Sequence, residues 1–208
     1  MIDEDLKKFL PTFLPNGEQE ELFYNLRQLV NGDISRIKNF YSGSYGSGDS
    51  VLEQGDGMEG LPIFNLPSTE SRSGKGFVIS NTCDVNADND RSVPMRMLYA
   101  PVLNLEKYEE ALRRQGEYSK SWADAVRKQQ ITHLFYLPKG SGLGYEAIVP
   151  LDHIHSLASG YLSDDTISSS RVFKLSLTGW YILLIKLTYH FARTTNQLIA
   201  RKSSAIAL

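Results

Sequence analysis

The sequence predicts an α+β domain: short antiparallel strands curled into a sheet or small barrel, helical additions at both ends, and a long amphipathic helix near the C-terminus. Three observations carry this expectation. Short runs of β-branched and aromatic residues, bounded by Gly, Pro, Asn or Asp, recur through the middle of the chain. Apolar residues at helical spacing flank them, at 16–30 and 177–193. The composition, 41% hydrophobic and 22% charged over 208 residues, suits one buried core and excludes a largely disordered chain.

The elements follow in order. Residues 3–10 read as a short helix stopped by Pro11. Asn16 has the character of an N-cap, with Glu18, Glu20 and Glu21 in the first turn where the helix dipole favours acids. Leu22, Leu26, Leu29 and Val30 continue the helix until Asn31-Gly32, and a second helical piece is expected over 33–41. Residues 42–50 are a Gly/Ser-rich loop separating this N-terminal segment (1–41) from a core over 51–208. In the core, Met58–Leu66 is extended, with Pro62 marking an edge or irregular strand. Residues 67–75 read as polar loop, Gly76–Ser80 as a buried strand, and 81–94 as loop again. Met95–Val102 alternates as a strand does. Two inserted helices occupy 105–130, the second capped by Ser119. Ile131–Leu137 and Tyr145–Val149 form a hairpin around Pro138-Lys139-Gly140-Ser141-Gly142. Asp152–Leu157 is a helical turn or short strand, and Arg171–Ser176 the last strand. In the helix over 177–193, Leu177, Trp180, Leu184, Leu187 and Phe191 form one apolar stripe, expected to face the core.

Net charge is −2, which excludes a generally polycationic nucleic-acid binder. The distribution is uneven. Residues 1–32 hold six acids and three bases, whereas after Asp165 there are six bases (Arg171, Lys174, Lys186, Arg193, Arg201, Lys202) and no acid. Lys174, Lys186, Arg193, Arg201 and Lys202 are therefore candidate contacts to RNA or to an acidic partner. The lone Cys83 cannot form an internal disulfide, the acidic N-terminus does not resemble a signal peptide, and Leu175–Phe191 is too short and polar for a membrane span. A cytoplasmic protein that does not enter the membrane is expected.

Several segments have the residue types of a site. Ser80-Asn81-Thr82-Cys83-Asp84 emerges at a strand end. Cys83 with Asp84 and a base from His133, His153 or His155 would be the set a thiol nucleophile needs. The same Asn, Thr and Asp also cap turns, and thiols are commonly structural. Asp84, Asn86, Asp88 and Asp90 alternate like the start of a calcium loop, but Asn89 and Met95 stand where such a loop needs Gly and Glu. The glycines of 43–48 are followed by Asp49 rather than the Lys and hydroxyl of a phosphate loop. His153 and His155 could share a metal, but no third ligand motif accompanies them. No metal and no cofactor is expected.

Gln54-Gly55-Asp56, the strand Gly76-Phe77-Val78-Ile79-Ser80 and the later Tyr99-Ala100-Pro101-Val102 resemble the MazF/PemK toxin family over residues 51–105, about a quarter of the chain. The resemblance implies an SH3-like β-barrel and metal-free cleavage of single-stranded RNA. The sequence departs from the family at the two catalytic positions: Gly74-Lys75-Gly76 replaces its Arg-Pro, and Leu103-Asn104 follows Pro101-Val102 in place of its Thr. The leading expectation is therefore an interaction module or subunit of a bacterial toxin–antitoxin or defence-type system, with a protein partner and no catalysis of its own. The alternatives are a MazF-like RNA endoribonuclease or RNA binder, and a thiol-dependent hydrolase or transferase using Cys83.

Overall fold

A computed structural model describes residues 16–32, 36–43, 50–85 and 95–192. The helix expected at 3–10, most of the 42–50 loop, the rest of the calcium-like loop beyond Val85, and Arg193, Arg201 and Lys202 lie outside these residues. The chain divides into two compact units, Met1–Lys38 and Asn39–Leu208.

In the first unit the expected helix forms as α1 (Asn16–Val30). Gly32, at φ 71°, supplies the left-handed residue that closes it. The Asn25 side chain accepts from the Lys38 amide (3.0 Å) and donates to its carbonyl (3.1 Å), mimicking a backbone pairing. Residues 37–40 are not helical, so the second helical piece does not extend over 33–41.

The second unit contains two antiparallel sheets. The strands are β1 (Gly57–Phe64), β2 (Ser71–Val78), β3 (Arg96–Pro101), β4 (Leu103–Asn104), β5 (Leu134–Leu137), β6 (Ala147–Pro150), β7 (His155–Ala158) and β8 (Arg171–Phe173). The larger sheet has the order β7-β3-β2-β1-β8 and the smaller β4-β6-β5. Both are open among the described residues, so the hydrogen-bonded ladders do not close the barrel that was expected. One continuous segment serves both sheets, because β3 passes through Val102 into β4.

β2 begins earlier than its apolar residues suggest. Ser71–Lys75, expected as loop, pairs with β1 from Phe64↔Ser71 to Leu61↔Gly74, and this ladder holds a polar stretch extended. Gly60, at φ 84°, sits where the register shifts between Met58 and Leu61. Among the described residues β8 pairs with Gly57 and Met58 of β1 and no strand pairs with β1 beyond them on that side, so Pro62 lies on a sheet edge, as expected.

The two faces of the larger sheet bury different cores. Leu52, Met58, Leu61, Ile63, Val78, Met97, Tyr99 and Ile167 pack on one face. Phe77 points to the other, where its ring lies 5.5 Å from Phe135 of the smaller sheet and 6.2 Å from Phe173. Phe40 and Tyr41 extend this aromatic layer. Adjacent residues Phe77 and Val78 thus serve opposite cores, as strand alternation requires.

The inserted helices are α3 (Leu105–Gln115), capped by the Asn104 side chain, and α4 (Lys120–Arg127), capped by Ser119 as expected. Just past α4, the Gln129 side-chain amide donates to the Tyr136 carbonyl (2.7 Å) and accepts from its amide (3.0 Å). The hairpin β5–β6 forms in the expected place, with Leu137 opposite Ala147. Two short helices fall in segments expected as loop or left unassigned: α2 (Thr82–Val85) and α5 (Asp164–Ser170), the latter capped by Ser163.

α6 (Leu177–Ala192) forms as expected, but it faces the core differently. Its buried residues are Thr178, Gly179, Ile182, Leu183 and Lys186, not the 177/180/184/187/191 stripe. Small residues decide this. An added Cβ on Gly179 would lie 2.4 Å from the Phe40 carbonyl oxygen, so the helix approaches that backbone through a residue without a side chain. Ile185, Tyr189 and Phe191 are left outside, 46%, 63% and 56% exposed. No helix among the described residues is long and apolar enough to cross a membrane.

Candidate functional site

The β1–β2 hairpin leaves the larger sheet near Phe64 and returns at Ser71, and the intervening loop is exposed. Ser68 shapes that loop: its amide donates to the Asn65 carbonyl (3.0 Å), and its hydroxyl accepts from the Glu70 amide (3.2 Å). A groove of about 460 Å³ opens beside the hairpin. Ile63, Phe64, Pro101 and Leu103 give it an apolar floor, and Asn65, Ser68, Glu70, Ser71, Arg72 and His153 supply its polar groups. Arg72 stands opposite Ile63 in the ladder.

His153 reaches this groove from the turn before β7. Its Nε2 lies 2.9 Å from the Phe64 carbonyl. A carbonyl only accepts, so this nitrogen carries a proton and donates to Phe64. The His155 ring sits 4.7 Å from that of His153 and packs on Phe64 and Tyr99. Its own Nε2 is buried without a hydrogen-bond partner among the described residues. Burial, and secondly the neighbouring His153, hold His155 below the usual histidine range, which favours its neutral form.

The two histidines are thus brought together, but not with Cys83. They meet each other, Phe64 and Tyr99, and Cys83 is not among their partners. Among the described residues no three His, Cys, Asp or Glu side chains gather as a metal would need. His133 is exposed at the entry to β5, where its carbonyl accepts from the Leu151 amide. The Ser80–Asp84 segment is occupied with shaping backbone. Ser80 Oγ accepts from the Leu98 amide, Asn81 Oδ1 from the Cys83 amide, and Thr82 Oγ1 from the Gln54 amide. Cys83 itself is exposed on the short α2, and Asp84 is half-buried beside it.

Two residues of the expected basic set, Lys186 and Lys174, are engaged within the protein. Lys186 is buried, and its ammonium donates to the Gln129 (2.8 Å) and Ile131 (2.6 Å) carbonyls. It ties α6 to the turn after α4 and is absent from any outer basic face. Burial lowers its pKa to about 8. Lys174 pairs with Glu53 at 2.9 Å, its side chain 16% exposed. Arg171 is an internal residue whose Nε lies 3.1 Å from Asp56 Oδ2, with both side chains essentially inaccessible.

A second polar hollow lies between α3 and α4. Arg127 pairs with Glu146 (2.8 Å) and Glu109 (3.0 Å), Arg113 pairs with Glu109 (3.0 Å), and the Tyr136 hydroxyl donates to Glu146. The Arg127–Glu109 contact is ionic, without the alignment of a hydrogen bond. These charges neutralise one another, and the cluster ties the two helices to the β5–β6 hairpin.

Sequence reasoning missed the groove. Glu70 and Arg72 stand in a stretch that reads as loop, and His153 approaches from 89 residues beyond Phe64. Pro62, as a sign of a free edge, and His153, as a candidate site residue, were the signals that pointed toward this end of the sheet. No protein-family model and no curated protein matches the chain.

Proposed function

We propose that this protein binds single-stranded RNA in the groove beside the β1–β2 hairpin, as a component of a toxin–antitoxin or related bacterial defence system. The observation that carries the reading is the groove's composition. Phe64 offers a ring on which a base can stack, Arg72 a cation for the phosphate, and Asn65, Ser68 and Ser71 hydrogen-bonding groups for base edges and sugar hydroxyls. The passage of β3 into β4 supports treating the two sheets as halves of a curled, SH3-like barrel, the fold implied by the MazF/PemK resemblance.

The test is fluorescence anisotropy of a labelled single-stranded RNA at rising salt. Binding should weaken with a log–log slope near −0.7 per phosphate contacted. R72A should weaken binding severalfold and make the slope shallower by about one such contact. Binding that is absent, or equally strong in R72A, would remove the groove from the reading.

A second reading, a protein-interaction module without catalysis, is favoured by a separate observation. α6 exposes Ile185 and Tyr189 on one side, and Phe191 near its end, residue types that anchor protein interfaces. A stoichiometric protein partner that survives ribonuclease treatment and is lost on Tyr189→Glu would favour it.

A further inference from the structure

In the larger sheet β2 and β3 stand between β1 and β7, yet the end of β1 meets the start of β7. Side chains make this seam where the ladder makes none. The His155 ring lies 6.0 Å from that of Phe64, the last residue of β1, and 5.3 Å from that of Tyr99, its register partner in β3. Two hydrogen bonds accompany the rings. His153 Nε2 donates to the Phe64 carbonyl at 2.9 Å, and the Tyr99 hydroxyl donates to the Pro62 carbonyl. One tyrosine and two histidines thus hold an edge of β1 that no strand covers.

His155 is the member of this set that depends on charge. Its Nε2 is buried without a partner among the described residues. A neutral imidazole keeps that atom as an unprotonated acceptor, whereas an imidazolium would bury an N–H with nothing to receive it. Its surroundings supply no counter-charge. β1 presents Phe64, and β3 presents Tyr99, whose hydroxyl is held protonated by burial and then by nearby Tyr161. The turn before β7 presents the His153 ring at 4.7 Å. The cation of β3, Arg96, is fastened to the Ser156 hydroxyl (2.6 Å) and carbonyl (2.9 Å). Asp152 in the turn is exposed, as is Glu70, which lines the groove with Arg72 and His153, and neither acid pairs with His155.

We propose that His155 is an acid-sensitive latch on this seam: on taking a proton it leaves the Phe64 and Tyr99 rings for water, and the end of β1 parts from β7. The closed seam disfavours the charged ring and the open seam hydrates it, so a proton acts as a ligand of the open form. Burial, and secondly His153, hold the closed-form pKa below 6.5. Between 6.5 and that lower value, each unit of falling pH raises the open fraction by up to about tenfold. Phe64 and His153 also line the groove, so opening reshapes that surface, but the latch operates whatever the groove binds.

The experiment is amide hydrogen exchange of the full chain, followed by NMR at about pH 7.5 and about pH 5 and corrected for the intrinsic rate at each pH. Protection in β7 and at the end of β1 should fall about tenfold or more on acidification, while protection in β5 and β6 changes less than about twofold. H155F keeps a ring and removes the proton site, so it should abolish the difference. A second measurement needs no variant: in the wild-type chain the His155 ring signals should titrate below 6.5, and the Phe64 ring signals should shift with the same midpoint. An unperturbed His155 midpoint with still Phe64 signals would overturn the latch. Equal acid-induced exchange in both sheets would replace it by global unfolding, and an undiminished pH effect in H155F would assign the proton elsewhere.

Discussion

Replacing Asp56 by Ala should be among the most damaging single changes outside the apolar core. Its side chain is wholly buried, accepts from the Glu53 amide (3.0 Å), and faces Arg171 Nε at 3.1 Å. Arg171 also donates to the Val51 carbonyl, which secures the guanidinium but does not neutralise it. Removing the carboxylate leaves a cation inside the protein without its counter-charge, a change worth about 3–5 kcal/mol. For a chain of this length that is a fall in Tm of about 6–20 °C. The pair is balanced rather than strongly favourable. Burial pushes the Asp56 carboxyl up from 3.8 to about 6, against the opposing pull of the Glu53 amide and then Arg171, and a rise of that size is about 3 kcal/mol. A folded pKa above the unfolded one means that this contribution to stability is full below 3.8 and is lost as pH rises through about 6. Two consequences can be read by urea denaturation. The R171M variant should lose less stability at pH 5 than at pH 7.5, because its stranded carboxyl can take a proton. The double variant D56A/R171M should lose clearly less than the two single losses together, since neither charge is then stranded. A D56A loss under about 1 kcal/mol, or strictly additive losses, would refute the argument.

Two further predictions concern α6. Lys186→Met should flatten the pH dependence of stability in the alkaline range. Burial holds the folded pKa at about 8 against 10.5, so wild-type stability should rise with pH across that window and the Met variant's should not, as urea midpoints on either side will report. Gly179→Ala raises helix propensity by about 1 kcal/mol, yet it should lower Tm, because the new methyl would lie 2.4 Å from a backbone oxygen that cannot move aside alone. A thermal melt of the variant at or above the wild-type midpoint would show that α6 shifts without penalty.

Much of the element order was legible in the sequence, because its signals were local. Ser119 caps the helix expected of it, and the hairpin around Pro138–Gly142 sits between the runs that predicted it. What escaped depends on distant partners. Ser71–Lys75 has no strand signature and is extended because β1 lies beside it. The face of α6 was misjudged because apolar residues surround most of that helix, so periodicity selects no single side. Thr178 and Gly179, which allow the closest approach, have too little apolar bulk to weigh in such a pattern. Lys186 read as a surface charge because nothing local reveals the two carbonyls waiting for it. The groove escaped for the same reason. Glu70 and Arg72 are unremarkable where they stand in the chain, His153 drew notice only beside Cys83 or His155, and the hairpin and the return of β7 bring the three to one groove. The segment that drew notice, around Cys83, uses its polar groups on its own backbone and on Gln54 and Leu98.

The Gln129 amide closes a strand edge as well as packing against it. β5, Leu-Phe-Tyr-Leu, is an outer strand of the smaller sheet and among the most apolar short runs in the chain. A bare edge of that composition would template the strands of other molecules. Gln129 occupies both main-chain groups of Tyr136, so an incoming strand finds no register in which to begin. It does so from a left-handed conformation, φ 58°, that Gly or Asn would adopt more readily but without a side chain long enough, or present at all, to reach the strand. One amide thus stands in for a neighbouring strand at Tyr136, and the left-handed backbone at the end of α4 is what brings it there.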